Sequence, residues 1–257
     1  MILYFLILMQ MISIIAADEN NSELHTAVLD NNYLLVKELL ECNVDPNTQN
    51  NLNQTPLHYA CHTGNVAIAS LLVTYGADIE AKDIEESTPL HYASRKDFIA
   101  VAQLLCEKGA DIAAVNCYNV TPVYIGCHSG SLTVVKYFIA RGANLGEIDS
   151  YGASLMLCAA ERSSVGNVYT VELLHTNGVS LTQGDCDGNT PLHAVVQTKA
   201  FGALLALVAL RANPAICNNK GQTPADVALE LGYGEIAAAL KVYEKSYQRQ
   251  EATLAGQ

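Results

Sequence analysis

Four histidines recur at a regular spacing in this sequence, and histidine is the side chain that most often binds metals in proteins. His25, His58 and His91 are 33 residues apart, and His193 lies further along in the same register. Equivalent residues of adjacent packed helices lie roughly 10 Å apart, whereas zinc–nitrogen bonds are about 2 Å long. We therefore predict no metal and no other cofactor here. Each histidine is expected to bond to a threonine hydroxyl and to loop backbone.

Cysteine and histidine are also adjacent at two places, Cys61-His62 and Cys127-His128. A thiol beside an imidazole can act as an activated nucleophile. Adjacent residues of a helix point about 100° apart, however, so neither histidine faces its neighbouring thiol. No third group that would orient either imidazole is evident, and we predict that the protein is not an enzyme.

The segment Asp185-Cys186-Asp187-Gly188 resembles part of a calcium-binding loop. The acidic residue that such a loop needs further along the chain is missing. Because Asp and Gly are also common turn residues, we interpret this segment as a turn.

The eight cysteines do not show the C-x-x-C spacing of a zinc site. Cys61 and Cys127 occupy equivalent positions two repeats apart, and so do Cys117 and Cys186. Two repeats correspond to roughly 20 Å, beyond the limit of about 7 Å between the Cα atoms of a disulfide. We expect reduced and mostly buried thiols, which are unusual in secreted proteins.

All these residues are placed by a longer pattern, a Thr-Pro pair that returns every 33 residues. It occurs at Thr55, Thr88 and Thr121, and again at Thr190 and Thr223. The interval between Thr121 and Thr190 is three residues longer than two periods, so it contains one degenerate repeat, and counting back from Thr55 adds another. We predict seven helix pairs. Their first helices should begin near Ser22, Thr55, Thr88, Thr121, Ser154, Thr190 and Thr223.

Each Thr-Pro pair is a helix start, because the threonine side chain can cap the helix and proline is favoured at the first helical position. Gly64 then ends a first helix and Gly76 a second helix. In the second helices we expect Leu71 and Leu104 to be buried. Leu52 lies in a loop, where we expect it to remain outside the core.

Two motifs in phase make the sequence resemble a known family. Thr55-Pro56-Leu57-His58-Tyr59-Ala60 recurs at 88–93 and in part at 190–193, and Gly76-Ala77-Asp78-Ile79 recurs in similar form at 109–112 and 142–145. A 33-residue period with T-P-L-H-x-A is the signature of ankyrin repeats. The resemblance covers residues 18–243, between an apolar segment at 1–17 and a polar tail at 244–257. It implies an all-α ankyrin-repeat solenoid of about seven stacked helix–turn–helix units joined by hairpin loops.

The sequence departs from the repeat at two places. The hairpin residue two positions before the threonine needs a positive φ, which Gly and Asn tolerate, whereas Glu86 would cost roughly 1–2 kcal/mol there. We therefore expect the loop around Glu86 to differ from the others. The fifth repeat lacks Thr-Pro and carries three extra residues, which we place in a bulge between its two helices, within 161–166.

The resemblance implies that a partner protein binds to the hairpin tips and to the exposed side of the first helices, on the concave face. An apolar stripe of Leu52, Ile84, Tyr118, Val120 and Tyr151 is typical of interface anchors, although these tips could instead pack against one another. The other candidate binding residues are Gln54, His62, Glu85, Ser87, Arg95, Lys96, His128, Glu161 and Arg162.

The first seventeen residues, MILYFLILMQMISIIAA, are almost entirely apolar. The segment is shorter than the ~20 residues of a spanning helix. It resembles the hydrophobic part of a secretory signal, although no Lys or Arg precedes it. A cleaved signal, a membrane anchor and a mis-assigned start all remain open. The segment favours a secreted or membrane-anchored protein, whereas the reduced cysteines favour the cytoplasm.

The formal net charge of −12 would repel nucleic-acid phosphates, so we expect a protein partner and no nucleic acid. A protein-interaction scaffold is the function that fits these observations. The alternative is an adaptor that presents a target to an enzyme complex such as a ubiquitin ligase. Such an adaptor normally needs an added docking module, for which we expect the tail at 244–257 to be too short.

Overall fold

Pairs of helices build the described part of the chain. The computed structural model describes residues 22–161 and 165–255. In these ranges the helices are α1 (Glu23–Leu29), α2 (Tyr33–Glu41), α3 (Pro56–Thr63), α4 (Val66–Thr74), α5 (Pro89–Arg95), α6 (Ile99–Glu107), α7 (Pro122–Ser129), α8 (Leu132–Ala140), α9 (Leu155–Ala160), α10 (Val165–Thr176), α11 (Pro191–Thr198), α12 (Phe201–Ala209), α13 (Pro224–Glu230) and α14 (Gly234–Ala255). Consecutive pairs form repeats 1 to 7. Each first helix begins directly after the residue predicted to cap it, so the predicted starts are confirmed.

The capping residues explain where the helices begin. Thr55 is extended, with φ −94° and ψ 165°, and Pro56 occupies the first position of α3. Ser22 starts α1 without a proline, and its side chain accepts a hydrogen bond from the backbone N–H of His25. In the second helix α4, the side chain of Asn65 accepts from the backbone N–H of Ile68. Caps of this kind satisfy backbone donors that have no partner inside the helix.

The described residues fall into two compact units, one ending at Cys117 and the other beginning at Tyr118. In the N-terminal unit the first helices α1, α3 and α5 pack side by side, as do the second helices α2, α4 and α6. The C-terminal unit repeats this arrangement with α7, α9, α11 and α13 in one layer and α8, α10 and α12 in the other. Each unit therefore buries its apolar side chains between a layer of first helices and a layer of second helices.

The core of the second helices differs by one position from the sequence prediction. Leu72 and Leu105 are completely buried, whereas Leu71 and Leu104, which we expected in the core, are only half-buried. The prediction is wrong because α4 and α6 are short and apolar on nearly every side. Their sequences, VAIASLLVT and IAVAQLLCE, do not show which of two adjacent leucines faces the first helices.

The hairpin around Glu86 has the same backbone as its neighbours, contrary to our prediction. Glu86 has a φ of 60°, close to the 56° of Asn53 in the preceding hairpin. The Asp83 carboxylate accepts hydrogen bonds from the backbone N–H groups of Glu85 and Ser87, and Lys82 lies 3.0 Å from the Glu86 carboxylate. These contacts offset the cost of a positive φ at a residue with a Cβ atom.

The three extra residues of repeat 5 extend a helix. α9 ends at Ala160 and α10 begins at Val165, which is the longest helix-to-helix interval among the described repeats, as predicted. α10 has 12 residues, however, against nine in α4 and α8, so the insertion adds about one turn of helix where we expected a bulge. Asn167, in the first turn of α10, is completely buried and donates to the carbonyl oxygens of Cys127 and Ala159, each at 3.1 Å.

The last helix, α14, continues to Ala255, past the position near Tyr243 where we expected the repeats to end. Its Tyr243 hydroxyl donates to the carbonyl oxygen of Ala212 at 2.8 Å. No helix in the described ranges is both long enough and apolar enough to cross a membrane. The apolar segment at 1–17 lies outside the described residues.

Candidate protein-binding surface

The histidine column joins three repeats to the repeat that follows them, through His25, His58 and His193. His58 Nδ1 lies 3.1 Å from the backbone nitrogen of Thr55 and 2.9 Å from its hydroxyl, and His58 Nε2 lies 3.1 Å from the carbonyl oxygen of Ser87. His25 reaches the carbonyl oxygen of Gln54 in the same way. The predicted bonds to threonine and loop backbone are therefore confirmed.

These contacts fix the protonation of the imidazoles. Because His58 Nδ1 accepts from the Thr55 backbone N–H, its proton must lie on Nε2, which donates to Ser87. Burial lowers the pKa of His58, since the charged form would lose its hydration, and it lowers the pKa of His25 and His193 for the same reason. At neutral pH the folded protein therefore holds these three histidines uncharged.

Two of the three repeats without histidine have another polar side chain at this position, whereas repeat 5 has Leu157. Tyr124 replaces the histidine in repeat 4, and the tyrosine hydroxyl donates to the Asp149 carboxylate at 3.0 Å. Burial, together with nearby Cys158 and Asp149, raises the pKa of Tyr124. In repeat 7, Asp226 accepts from the hydroxyl and the backbone N–H of Thr223, which lowers the pKa of its carboxyl group. The side chain at this position therefore holds the helix start in repeat 7 and contacts the following hairpin in repeat 4.

Backbone hydrogen bonds join the hairpin tips within each unit. In the N-terminal unit the Ile84 N–H donates to Leu52 and the Cys117 N–H donates to Glu85. In the C-terminal unit equivalent bonds run from Ser150 to Tyr118, from Cys186 to Tyr151 and from Asn219 to Asp187. The side chains of each row of tips are thus presented from an ordered backbone.

The N-terminal unit exposes only some of the predicted binding residues. Ile84 and Lys96 are exposed, with 62% of the surface of Ile84 accessible. Gln54 and Ser87 are buried, which contradicts their assignment to the outer surface. Their backbone carbonyl groups accept from the histidine column, so both residues face inward. The half-buried candidates of this unit are Leu52, His62, Glu85 and Arg95.

The C-terminal unit presents fewer of the candidates. Tyr151 is exposed, whereas Tyr118, His128 and Glu161 are half-buried. Val120 is 5% accessible and therefore belongs to the core, contrary to our prediction, because it directly precedes the buried cap Thr121. Arg162 lies outside the described residues.

A buried polar network supports the tips of the N-terminal unit. The Tyr92 hydroxyl donates to Asp83 at 2.6 Å and accepts from the side-chain amide of Gln54 at 2.7 Å. Asn50 donates to the Gln54 side chain and to the Tyr59 hydroxyl. Sequence reasoning missed these positioning residues. The signal in the sequence that could have predicted this network is the tyrosine that follows histidine in both His-Tyr-Ala motifs, Tyr59 and Tyr92.

The other chemical candidates are the segment that resembles a calcium loop and the eight cysteines. The Asp185 carboxylate accepts from the backbone N–H groups of Asp187 and Asn189, so the segment resembling a calcium loop is a turn, as predicted. None of the eight cysteines, all of which are described, forms a disulfide. Only four are buried, so the expectation that most would be is wrong. Within the described ranges no three His, Cys, Asp or Glu side chains are arranged to hold a metal.

Comparison with known proteins settles the family. The model of ankyrin repeats, in three copies, matches residues 24–116 and 155–250, which is more than half of the chain. The chain is an ankyrin-repeat protein. Ankyrin repeats are generally scaffolds for protein–protein interaction and bind other proteins. The all-α class and repeated helix pairs implied by the resemblance are thereby confirmed.

The individual relatives cover parts of this ankyrin-repeat chain. Ankyrin repeat domain-containing protein 37 of Xenopus tropicalis is 32% identical over 80 residues, which are 30% of this chain and 49% of that protein. The protein of the same name from Mus musculus is 38% identical over 63 residues, which are 24% of this chain and 40% of the relative. The chain therefore spans less than half the length of these curated relatives.

Solved structures of ankyrin domains match over most of the chain. The ankyrin repeat domain of Bcl-3, described as a unique member of the IkappaB protein family, superposes with a TM-score of 0.64 at 27% identity. The match covers 82% of this chain and 95% of the Bcl-3 chain. The ankyrin repeat domain of human ASB11 superposes with a TM-score of 0.76 at 24% identity. The match covers 87% of this chain and 98% of the ASB11 chain, and this likeness shows the fold alone.

Proposed function

We propose that this ankyrin-repeat protein is a binding scaffold that engages its partner through the hairpin tips and the exposed side of the first helices. The observation that supports this most directly is the exposure of Ile84 and Tyr151 at the tips. Large apolar side chains on an ordered backbone lose little conformational freedom on binding, and such residues are typical interface anchors.

The same chain exposes apolar side chains on its second helices, which makes a matched test possible. Leu34 on α2 is 76% accessible and Tyr169 on α10 is 52% accessible. Each is comparable in type and exposure with a tip residue but lies on the other helix layer. The proposal requires that the tip residues matter for binding and that these second-helix residues do not.

The test is capture of partners from the source cells on the immobilised protein, read by quantitative mass spectrometry. We expect Ile84→Ser and Tyr151→Ser to lose partners that the wild type retains. Leu34→Ser and Tyr169→Ser should retain them. Loss of the same partners by the second-helix variants, with retention by the tip variants, would contradict the proposal.

The adaptor alternative is distinguished by the same capture. An adaptor holds its target on one surface and an enzyme complex such as a ubiquitin ligase on another. Ile84→Ser would then lose the target and keep the enzyme subunits. If the protein is a simple scaffold, Ile84→Ser should instead lose all of the captured proteins together.

A further inference from the structure

Two basic side chains, Arg95 and His62, lie on the first helices of the N-terminal unit beside the ring of Tyr92. The Arg95 guanidinium carbon lies 5.7 Å from the centre of that ring, and the His62 ring lies 6.3 Å from it on the adjacent first helix. Lys96 follows Arg95 at the end of α5 and is exposed. We call His62, Arg95 and Lys96 the basic cluster.

The charge of the basic cluster is not neutralised by an ion pair. Neither Arg95 nor Lys96 forms one within the described ranges, where the ion-paired lysines are Lys37, Lys82 and Lys241. Burial lowers the pKa of His62, and the charges of Lys96 and Arg95 lower it further. The Asp83 carboxylate accepts a hydrogen bond from the Tyr92 hydroxyl.

The fold does not require cations at these positions. Arg95 and His62 occupy the seventh position after the threonine of their repeats, where repeats 6 and 7 have Gln197 and Glu230. Those repeats form the same helix pairs with neutral and acidic side chains. In a chain of net charge −12, a cationic group that folding does not need is best explained by what it binds.

We infer that the N-terminal unit binds an acidic segment of its protein partner. Asp or Glu carboxylates of that segment pair with Arg95 and Lys96, and an apolar side chain beside them packs on Ile84. Arginine suits this role because its planar guanidinium can hold a carboxylate through two parallel hydrogen bonds. Ile84 directly follows Asp83, whose carboxylate accepts from Tyr92, so the apolar tip and the basic cluster are supported by one network. The inference rests on the proposed function and specifies the chemistry of its partner.

The experiment selects peptides from a display library of random 16-residue segments on the immobilised full-length protein. We expect the recovered peptides to be enriched in Asp and Glu relative to the starting library. Selection on the double variant Arg95→Glu, Lys96→Glu should abolish this enrichment. The matched control is Lys37→Glu, Lys108→Glu, which changes the net charge equally on the second-helix layer and should leave the enrichment unchanged. Circular dichroism and urea unfolding establish that each variant folds.

The affinity of one recovered acidic peptide then gives a quantitative check by fluorescence anisotropy. Arg95→Gln, Lys96→Gln should weaken it about tenfold, the loss expected when two partly exposed ion pairs are removed. Replacing the peptide's Asp and Glu by Asn and Gln should weaken it similarly. Recovered peptides without acidic enrichment, or equal enrichment on the cluster variant, would overturn the inference. Because partner capture depends on Ile84 and Tyr151, it can succeed while this inference fails.

Discussion

In repeats 1, 2 and 6 a buried histidine connects a helix start to the following hairpin. His58 meets Thr55 in its own repeat and the Ser87 carbonyl oxygen at the start of the next. This arrangement needs a neutral imidazole, with one nitrogen accepting and the other donating. A side chain that appears in the sequence as a possible metal ligand is therefore tied to its neighbours by hydrogen bonds at both nitrogens.

The neutrality of these histidines predicts how stability depends on pH. Below about pH 6.5 the unfolded chain takes up protons on histidine, whereas His25, His58 and His193 take up fewer in the folded chain at the same pH, because their pKa values are lowered. Unfolding is then accompanied by proton uptake, so the free energy of unfolding should fall between pH 7.5 and 5.5. Urea titration at each pH measures it.

The variant His58→Gln tests the contribution of His58 alone to stability and to its pH dependence. At pH 7.5 it should lower the free energy of unfolding by about 1–3 kcal/mol, because glutamine can still donate to Ser87 but has no atom at the Nδ1 position to accept from the buried Thr55 N–H. The difference from the wild type should narrow as the pH falls to 5.5. A difference that stays constant or widens would mean that His58 is not held neutral.

At the level of helices and loops, the sequence predicts positions well where one residue type has a single structural use. The Thr-Pro pairs predicted the starts of α3, α5, α7, α11 and α13 because threonine caps and proline is tolerated only in the first turn. The prediction failed where the loop conformation or the burial of a side chain depends on contacts with other side chains of the fold. The hairpin at Glu86 keeps the standard backbone because Asp83 accepts hydrogen bonds from its backbone N–H groups and Lys82 pairs with the Glu86 carboxylate. Gln54 is buried because its side-chain amide donates a hydrogen bond to the Tyr92 hydroxyl.

The difference between adjacent leucines of α4 gives a test of the corrected core. Leu72→Ala should lower the free energy of unfolding by ~2–5 kcal/mol, because it opens a cavity in a fully buried site. Leu71→Ala should cost distinctly less, since the half-buried Leu71 loses fewer contacts. Urea unfolding followed by circular dichroism measures both. Equal losses would show that the two helix layers meet differently from the arrangement described here.

The insertion in repeat 5 has a structural consequence that can be measured in the same way. Asn167 donates to two carbonyl oxygens in the interior, so Asn167→Ala leaves both without this donor. The expected loss is about 1–3 kcal/mol, the desolvation cost of a buried polar group. Asn177→Ala is the control, because Asn177 is exposed and bonds only within its own helix turn. A loss at Asn177 as large as that at Asn167 would contradict this account.

For the whole molecule, electrostatics and packing act in opposite directions. The ion pairs Lys37–Glu41, Lys82–Glu86 and Lys241–Asp226 join side chains about half exposed, and such pairs contribute at most about 1 kcal/mol each. A net charge of −12 meanwhile favours the expanded chain through self-repulsion. Stability must therefore come from the packed layers of helices and from contacts between neighbouring repeats.

This balance predicts that salt stabilises the protein. The Debye length falls from about 30 Å at 0.01 M to about 8 Å at 0.15 M ionic strength, so dilute NaCl screens the long-range repulsion. The midpoint of urea unfolding at pH 7.5 should rise over this range and change little beyond it. Lys37→Ala, which removes one exposed ion pair, should leave the rise intact. A midpoint that falls with dilute salt would mean that attractive charge pairs outweigh the repulsion, and that the described ion pairs stabilise the fold far more than their exposure allows.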